Sequence, residues 1–263
     1  MSFLSKLMFW KAGHPKVSIL RLSGVIASGG GALRKNLNYE TLEPVIKKAF
    51  ADEKQNAVIL CINSPGGSPV QSALIGKRIR QLADKNNMPV IAFCEDVAAS
   101  GGYWLASCAD EIYANEASII GSIGVISAGF GFTEAIAKLG VERRVYTSGD
   151  SKSMLDPFKN ENPKDVKRLR ALQNEIHEYF IAHVKSRRGE RLNDEEPLFT
   201  GAFWTGARAK QLGLIDGIGA MHSVLTERFG EKVKLRQITQ KKGLFSLAGS
   251  SAGAVSYTHL TLP

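Results

Sequence analysis

Along this chain, short unbroken apolar runs alternate with segments whose apolar residues recur every three or four positions. Residues 16–22 alternate well enough for a strand. Residues 57–62 and 89–94 are almost continuously apolar, the pattern of strands buried on both faces in a parallel sheet. Further strands are predicted at 111–114 and 141–146. Leu42, Val45, Ile46 and Ala49 set a helical period over 39–51, and Leu74, Ile75, Ile79 and Leu82 set another over 70–83. A short helix over 132–139 ends at Gly140 and one over 205–212 at Gly213, each glycine placed to close a helix. The longest helix, 166–188, carries a stripe of Leu169, Leu172, Ile176, Tyr179, Phe180 and Val184. Strands and helices in alternation predict an α/β fold around a mostly parallel sheet, with no linker to divide it.

The ends read differently. Residues 1–15 include Phe3, Leu4, Leu7, Met8 and Trp10 with Lys6 and Lys11, a segment suited to a short amphipathic turn at a lipid interface or to a frayed terminus. It lacks the length and cleavage site of a secretory signal, and no run reaches the roughly 20 apolar residues of a membrane span. Residues 230–263 are expected as a tail, rich in Ser, Ala and Gly after about Lys242 and disordered towards its end.

The 263 residues suffice for a substantial core. Cys61, Cys94 and Cys108 sit within apolar segments without metal-ligand spacing, so they read as small core residues, and no metal site is expected. The formal charge of +9 is spread over pairs such as Arg143-Arg144 and Lys167-Arg168, without interleaved aromatics. No nucleic-acid module accompanies it, so it reads as a solvated surface or one compatible with anionic lipid.

Two glycine-rich turns each follow a predicted buried strand: Asn63-Ser64-Pro65-Gly66-Gly67 and Ala98-Ala99-Ser100-Gly101-Gly102. In a parallel sheet such turns lie at the carboxyl ends of the strands, where ligands bind. Ser100 stands between a strand and a helix, as a nucleophile does on an elbow, although G-x-S-x-G is absent. Read alone, it is a helix cap. Neither turn has the pattern of a phosphate loop. Amides from both turns, converging beside the hydroxyl, would form an oxyanion hole. His14, His177, His183, His222 and His259 all lie outside the 60–150 region that holds both turns, so a Ser–His–Asp triad is poorly supported. Ser–Lys dyads exist. Lys152 lies in a loop able to fold over the sheet edge, where a solvated lysine is the ordinary occupant.

Four motifs in register carry a resemblance: Asn63-Ser64-Pro65-Gly66-Gly67, Ala98-Ala99-Ser100-Gly101-Gly102-Tyr103, Gly121-Ser122-Ile123-Gly124-Val125, and Ser148-Gly149 with Lys152 after it. Thr205-Gly206-Ala207-Arg208-Ala209 and Leu212-Gly213-Leu214-Ile215-Asp216 follow. Together they resemble the signal peptide peptidase A family of Ser–Lys peptidases (SppA and SohB-type) over residues 16–229. The resemblance implies a Clp protease/crotonase-like single domain of repeated β-β-α units. It implies Ser100 as nucleophile, Lys152 as general base, Ser122 as the group orienting Lys152, and the amides of Gly67 and Gly101 as the oxyanion hole. It implies no cofactor, an ATP-independent endopeptidase, and short or unfolded substrates such as released signal peptides. It also implies a homo-oligomeric ring in which a neighbour can supply the lysine. A bacterial protein, cytoplasmic or peripheral at the inner membrane, is expected. The family's spanning helix and tandem duplication are not seen in this sequence.

Rival readings are a crotonase-type acyl-CoA enzyme, which a carboxylate base beside the oxyanion hole would favour although Glu95 and Asp96 nearby read better as strand-end residues, and an inactive membrane-associated scaffold. An ATP-coupled Clp-type protease lacks its histidine, since Val125 stands in that region.

Overall fold

The computed structural model describes residues 14–29, 36–149 and 151–239. The amphipathic turn expected in residues 1–13 and the disordered end expected beyond Lys242 lie outside the described residues. The predicted alternation is present: β1 (Lys16–Ser23), α1 (Tyr39–Ala49), β2 (Ala57–Ser64), α2 (Pro69–Lys85), β3 (Val90–Ala99) and α3 (Gly101–Ser107). Then follow β4 (Glu111–Ala114), β5 (Ile119–Gly121), α4 (Thr133–Lys138) and α5 (Pro163–Arg188). The chain closes with β6 (Phe203–Thr205), α6 (Gly206–Gln211), β7 (Gly217–Ile218), α7 (Met221–Phe229) and β8 (Lys234–Ile238). Beyond Phe229, where the tail was expected to begin, β8 pairs with β1 and forms an edge of the sheet.

The strands run in the order β6-β5-β3-β2-β1-β8, with β4 and β7 branching from β3. Every pairing is parallel except β5 with β6. The branch follows from the length of β3. Residues 91–94 of β3 pair with β4 and its last three residues pair with β5, so one long strand carries two neighbours on the same side.

One sheet face packs on α1, α2 and α3 through Leu20, Leu22, Ile46, Leu60, Ile75, Ile79 and Leu105. The other packs on α7 through Val17, Ile19, Ile59, Phe93 and Leu225. Side-chain caps start the helices: Asn38 accepts from Thr41 N–H and Ser68 from Gln71 N–H, and Pro69 and Pro163 open α2 and α5. All three cysteines are free and buried. Burial pushes the Cys94 and Cys108 thiols up to about 12 and that of Cys61 to about 11.

Two expectations fail in one region. Residues 141–146 form no strand; Val141 and Tyr146 are exposed, and no neighbouring strand offers a ladder. The stripe on α5 is buried only at Phe180 and Val184, while Leu172, Ile176 and Tyr179 face solvent. The first half of α5 and residues 126–149 and 151–160 form an arm that leaves the core, and α4 within it buries nothing. Phe130, Phe132 and Phe158 pack on one another in this arm, beside a cavity of about 610 Å³.

The other end of α5 is anchored. Arg188, 2 % exposed, donates to the Gly213 carbonyl and to both Asp216 oxygens, and Asp216 also accepts the Ile112 amide. Burial would raise the Asp216 carboxyl, but the bonds and charge of Arg188 outweigh it and hold the group below its ordinary value. The stabilisation is therefore complete above the unfolded carboxyl's range and is lost as pH falls through the lower folded value. Arg188→Met should cost about 3 kcal/mol in urea unfolding at neutral pH, and adding Asp216→Leu should recover most of it. Asp216 would keep Arg191 and the Ile112 amide but lose its shortest charged partner, and a double variant no more stable than Arg188→Met would refute the view that the weakened carboxylate carries the cost.

Candidate active site

β3 ends in Ala99, and α3 begins at Gly101, so Ser100 makes the whole turn between them. Its backbone sits at φ 52°, ψ −122°, a conformation that residues with a Cβ rarely hold without support. The support is visible. Ser100 N–H donates to the Gly121 carbonyl at 2.7 Å, and its own carbonyl accepts Trp104 N–H at 3.0 Å. Gly66 lies against it: a Cβ at Gly66 would stand 2.8 Å from the Ser100 Cβ and 2.7 Å from the Gly101 nitrogen. Ser100 is the N-cap of α3, yet its side chain makes no capping bond. The capping reading of this serine fails, and the hydroxyl remains available for other chemistry.

The two glycine turns meet here. Segment 24–27 continues alongside β2: Ile26 N–H donates to Gly66 and the Ile26 carbonyl accepts Ser68 N–H. Because neighbours in a ladder point their amides to opposite sides, Gly67 N–H is directed away from Ile26, to the side where β3 and Ser100 lie. Any side chain at Gly67 would run into the Ile26 carbonyl. Gly101 occupies the first position of α3, where an amide has no acceptor within its own helix. Ser100, Gly67 and Gly101 thus gather at the carboxyl ends of β2 and β3.

Ser122 is close by. It follows Gly121, the acceptor of Ser100 N–H, and is itself left-handed at φ 53°, with its amide donating to the Ala202 carbonyl at 2.7 Å. Lys152 is elsewhere, exposed in the turns at 151–155 of the arm, and its ammonium makes no hydrogen bond or ion pair among the described residues. No base touches Ser100 among the described residues.

The other titratable neighbours are occupied. Glu95 pairs with Arg21 and Asp96 accepts from Asn63. His183 stacks on Trp104 and bonds Ser107, at the far end of α3 from Ser100. Burial lowers its pKa to about 4, so it is a neutral packing residue. His177 faces the Ile123 carbonyl at 3.0 Å through Nε2. That nitrogen must carry a proton to donate there, so it cannot accept one from a serine. Sequence reasoning missed Trp204, which packs on Gly121. It belongs to no motif, and the fold alone brings it to this edge.

A serine held left-handed stores strain that glycine would not. Ser100→Gly should be more stable to heat than Ser100→Ala by about 1 kcal/mol. Equal melting temperatures for the two variants would show that the turn is unstrained.

Comparison with known proteins shows the family. Residues 83–236 match Peptidase family S49. A Brucella abortus protein named Na(+)/H(+) antiporter NhaA is 52 % identical over 235 residues, covering 89 % of this chain and 32 % of that protein. Protease 4 of Haemophilus influenzae is 33 % identical over 215 residues, covering 81 % of this chain and 34 % of that protein. The chain therefore spans about a third of the length of these two relatives. Among solved structures, a mutant of the 1510-N membrane-bound stomatin-specific protease superposes with a TM-score of 0.55 at 20 % identity, over 87 % of this chain and all of that one. That likeness concerns the fold, which is of the Clp protease/crotonase-like type. With the family match over more than half its length, and the glycine turns and elbow serine in place, the chain belongs to peptidase family S49, the SppA and SohB-type peptidases.

Proposed function

We propose that this chain is an ATP-independent serine endopeptidase with a Ser100–Lys152 dyad, acting on short or unfolded peptides such as released signal peptides. One observation carries the reading: Ser100 is held in a left-handed elbow with an uncapped hydroxyl, beside the outward amides of Gly67 and Gly101. Ser100 Oγ attacks the peptide carbonyl while a neutral Lys152 amine takes its proton. The oxyanion is received by the two amides, each worth about 3–4 kcal/mol in such a role. The lysine then protonates the leaving amine, and water resolves the acyl-enzyme. Ser122, beside the nucleophile turn, orients the lysine.

A lysine acts as a base only where it is desolvated. In the single chain Lys152 is exposed, on an arm whose Phe130, Leu139 and Tyr146 are also largely uncovered. A second copy packed on the arm would bury both, and this supports a ring in which one subunit's lysine serves the next subunit's serine. Among the described residues no helix is long and apolar enough to cross a membrane.

The test is cleavage of quenched apolar peptides without ATP. Ser100→Ala and Lys152→Ala should each lower kcat by about a thousandfold or more. Co-assembling the two variants should restore activity if the dyad forms between subunits. Cleavage by Ser100→Ala at the wild-type rate would refute the peptidase reading and turn attention to CoA thioesters.

A further inference from the structure

The strained conformation of Ser100 depends on the carbonyl of Gly121, and a glycine is a poor anchor because its backbone is the least restricted of any residue. Gly121 sits at φ 111° at the end of the three-residue strand β5. Something else must fix it. A Cβ at Gly121 would stand 2.8 Å from two ring carbons of Trp204, so the indole lies against the glycine Cα. Trp204 is the middle residue of β6, the antiparallel partner of β5, and it pairs with Ile120.

The ring is itself anchored. Trp204 Nε1–H donates to Glu196 Oε2 at 2.8 Å, and Arg208 Nε donates to Glu196 Oε1 at 2.7 Å. Arg208 is on α6, which β6 enters directly after the Thr205 cap. A continuous set of contacts therefore runs from α6 through Arg208, Glu196 and the indole to Gly121, and from its carbonyl to the amide of Ser100. The same peptide leads into Ser122, the other strained serine, whose amide is held by Ala202 just before β6.

We infer that Trp204 is a positioning residue: its indole, clamped by Glu196, fixes the Gly121 carbonyl and through it the nucleophile elbow. The inference rests on the reading of Ser100 as nucleophile. Trp204 touches no reacting atom and acts through Gly121. Trp204 also packs, half-buried, against the larger core, so its loss would cost stability as well as loosen the elbow, and a variant destabilised elsewhere separates the two effects.

The test compares the full chain with Trp204→Ala, Trp204→Phe and Leu225→Ala, the last removing a buried side chain from the opposite sheet face. Three quantities are measured: the melting temperature, the rate at which a fluorophosphonate labels Ser100, and amide exchange over 98–105 and 119–123. Trp204→Ala should label about tenfold or more slowly, with Trp204→Phe between that variant and wild type because a ring still covers Gly121 while the bond to Glu196 is lost. Exchange in both segments should accelerate in Trp204→Ala. Leu225→Ala should lower the melting temperature yet label at the wild-type rate. Wild-type labelling and exchange in Trp204→Ala would overturn the inference, as would equal slowing in Leu225→Ala. If the wild type is not labelled at all, the nucleophile reading fails by itself. The exchange data then still decide whether Trp204 holds the turn.

Discussion

Everything at the carboxyl edge of this sheet answers to one constraint: a serine must stand where its backbone would not go unaided. Such a conformation costs on the order of 1–3 kcal/mol and survives only where its surroundings over-determine it. Here the determinants are backbone groups. The Gly121 carbonyl holds the amide, α3 takes the carbonyl, and Gly66 lies too close for any side chain. The same crowding that imposes the turn also places Gly67 and Gly101 beside it. The strain of the elbow and the position of the two glycine amides thus arise from the same close packing of two turns.

Much of this was legible in the chain. The apolar runs at 57–62 and 89–94 mark strands buried on both faces, and the glycine turns after them mark the functional edge. Ser100 was legible as an elbow because small residues flank it on both sides. The eventual fate of its hydroxyl was not, since a capping and a free serine have the same local sequence and differ only in φ and ψ. Short pieces were missed for a related reason: β6 and β7 have three and two residues and hold their shape only through partners distant in sequence. Lys152 shows the limit most clearly. Motif order pointed to it, but in the single chain nothing about its surroundings distinguishes it from a solvated lysine.

The misread region has a common cause. The apolar stripe of α5 and the apolar residues of 141–146 follow the pattern of elements that bury a face. Such a pattern records that a surface wants to leave water without recording where the cover comes from. For Phe180 and Val184 the cover is α3 of the same chain, through the stacked ring of Trp104. Leu172, Ile176 and Tyr146 keep much of their surface uncovered among the described residues. The arm is held together by its own small aromatic cluster, including Arg143 over the Phe158 ring, and so keeps a shape without a core beneath it.

The buried thiols have a consequence of their own. A sulfur reacts with oxidants and alkylating reagents as the thiolate, and Cys61, Cys94 and Cys108 are kept protonated and out of reach by the core itself. Oxidants and alkylating reagents that silence proteins built on a reactive cysteine therefore find no ready thiolate at these three positions, and the sulfur in this chain serves packing alone at them.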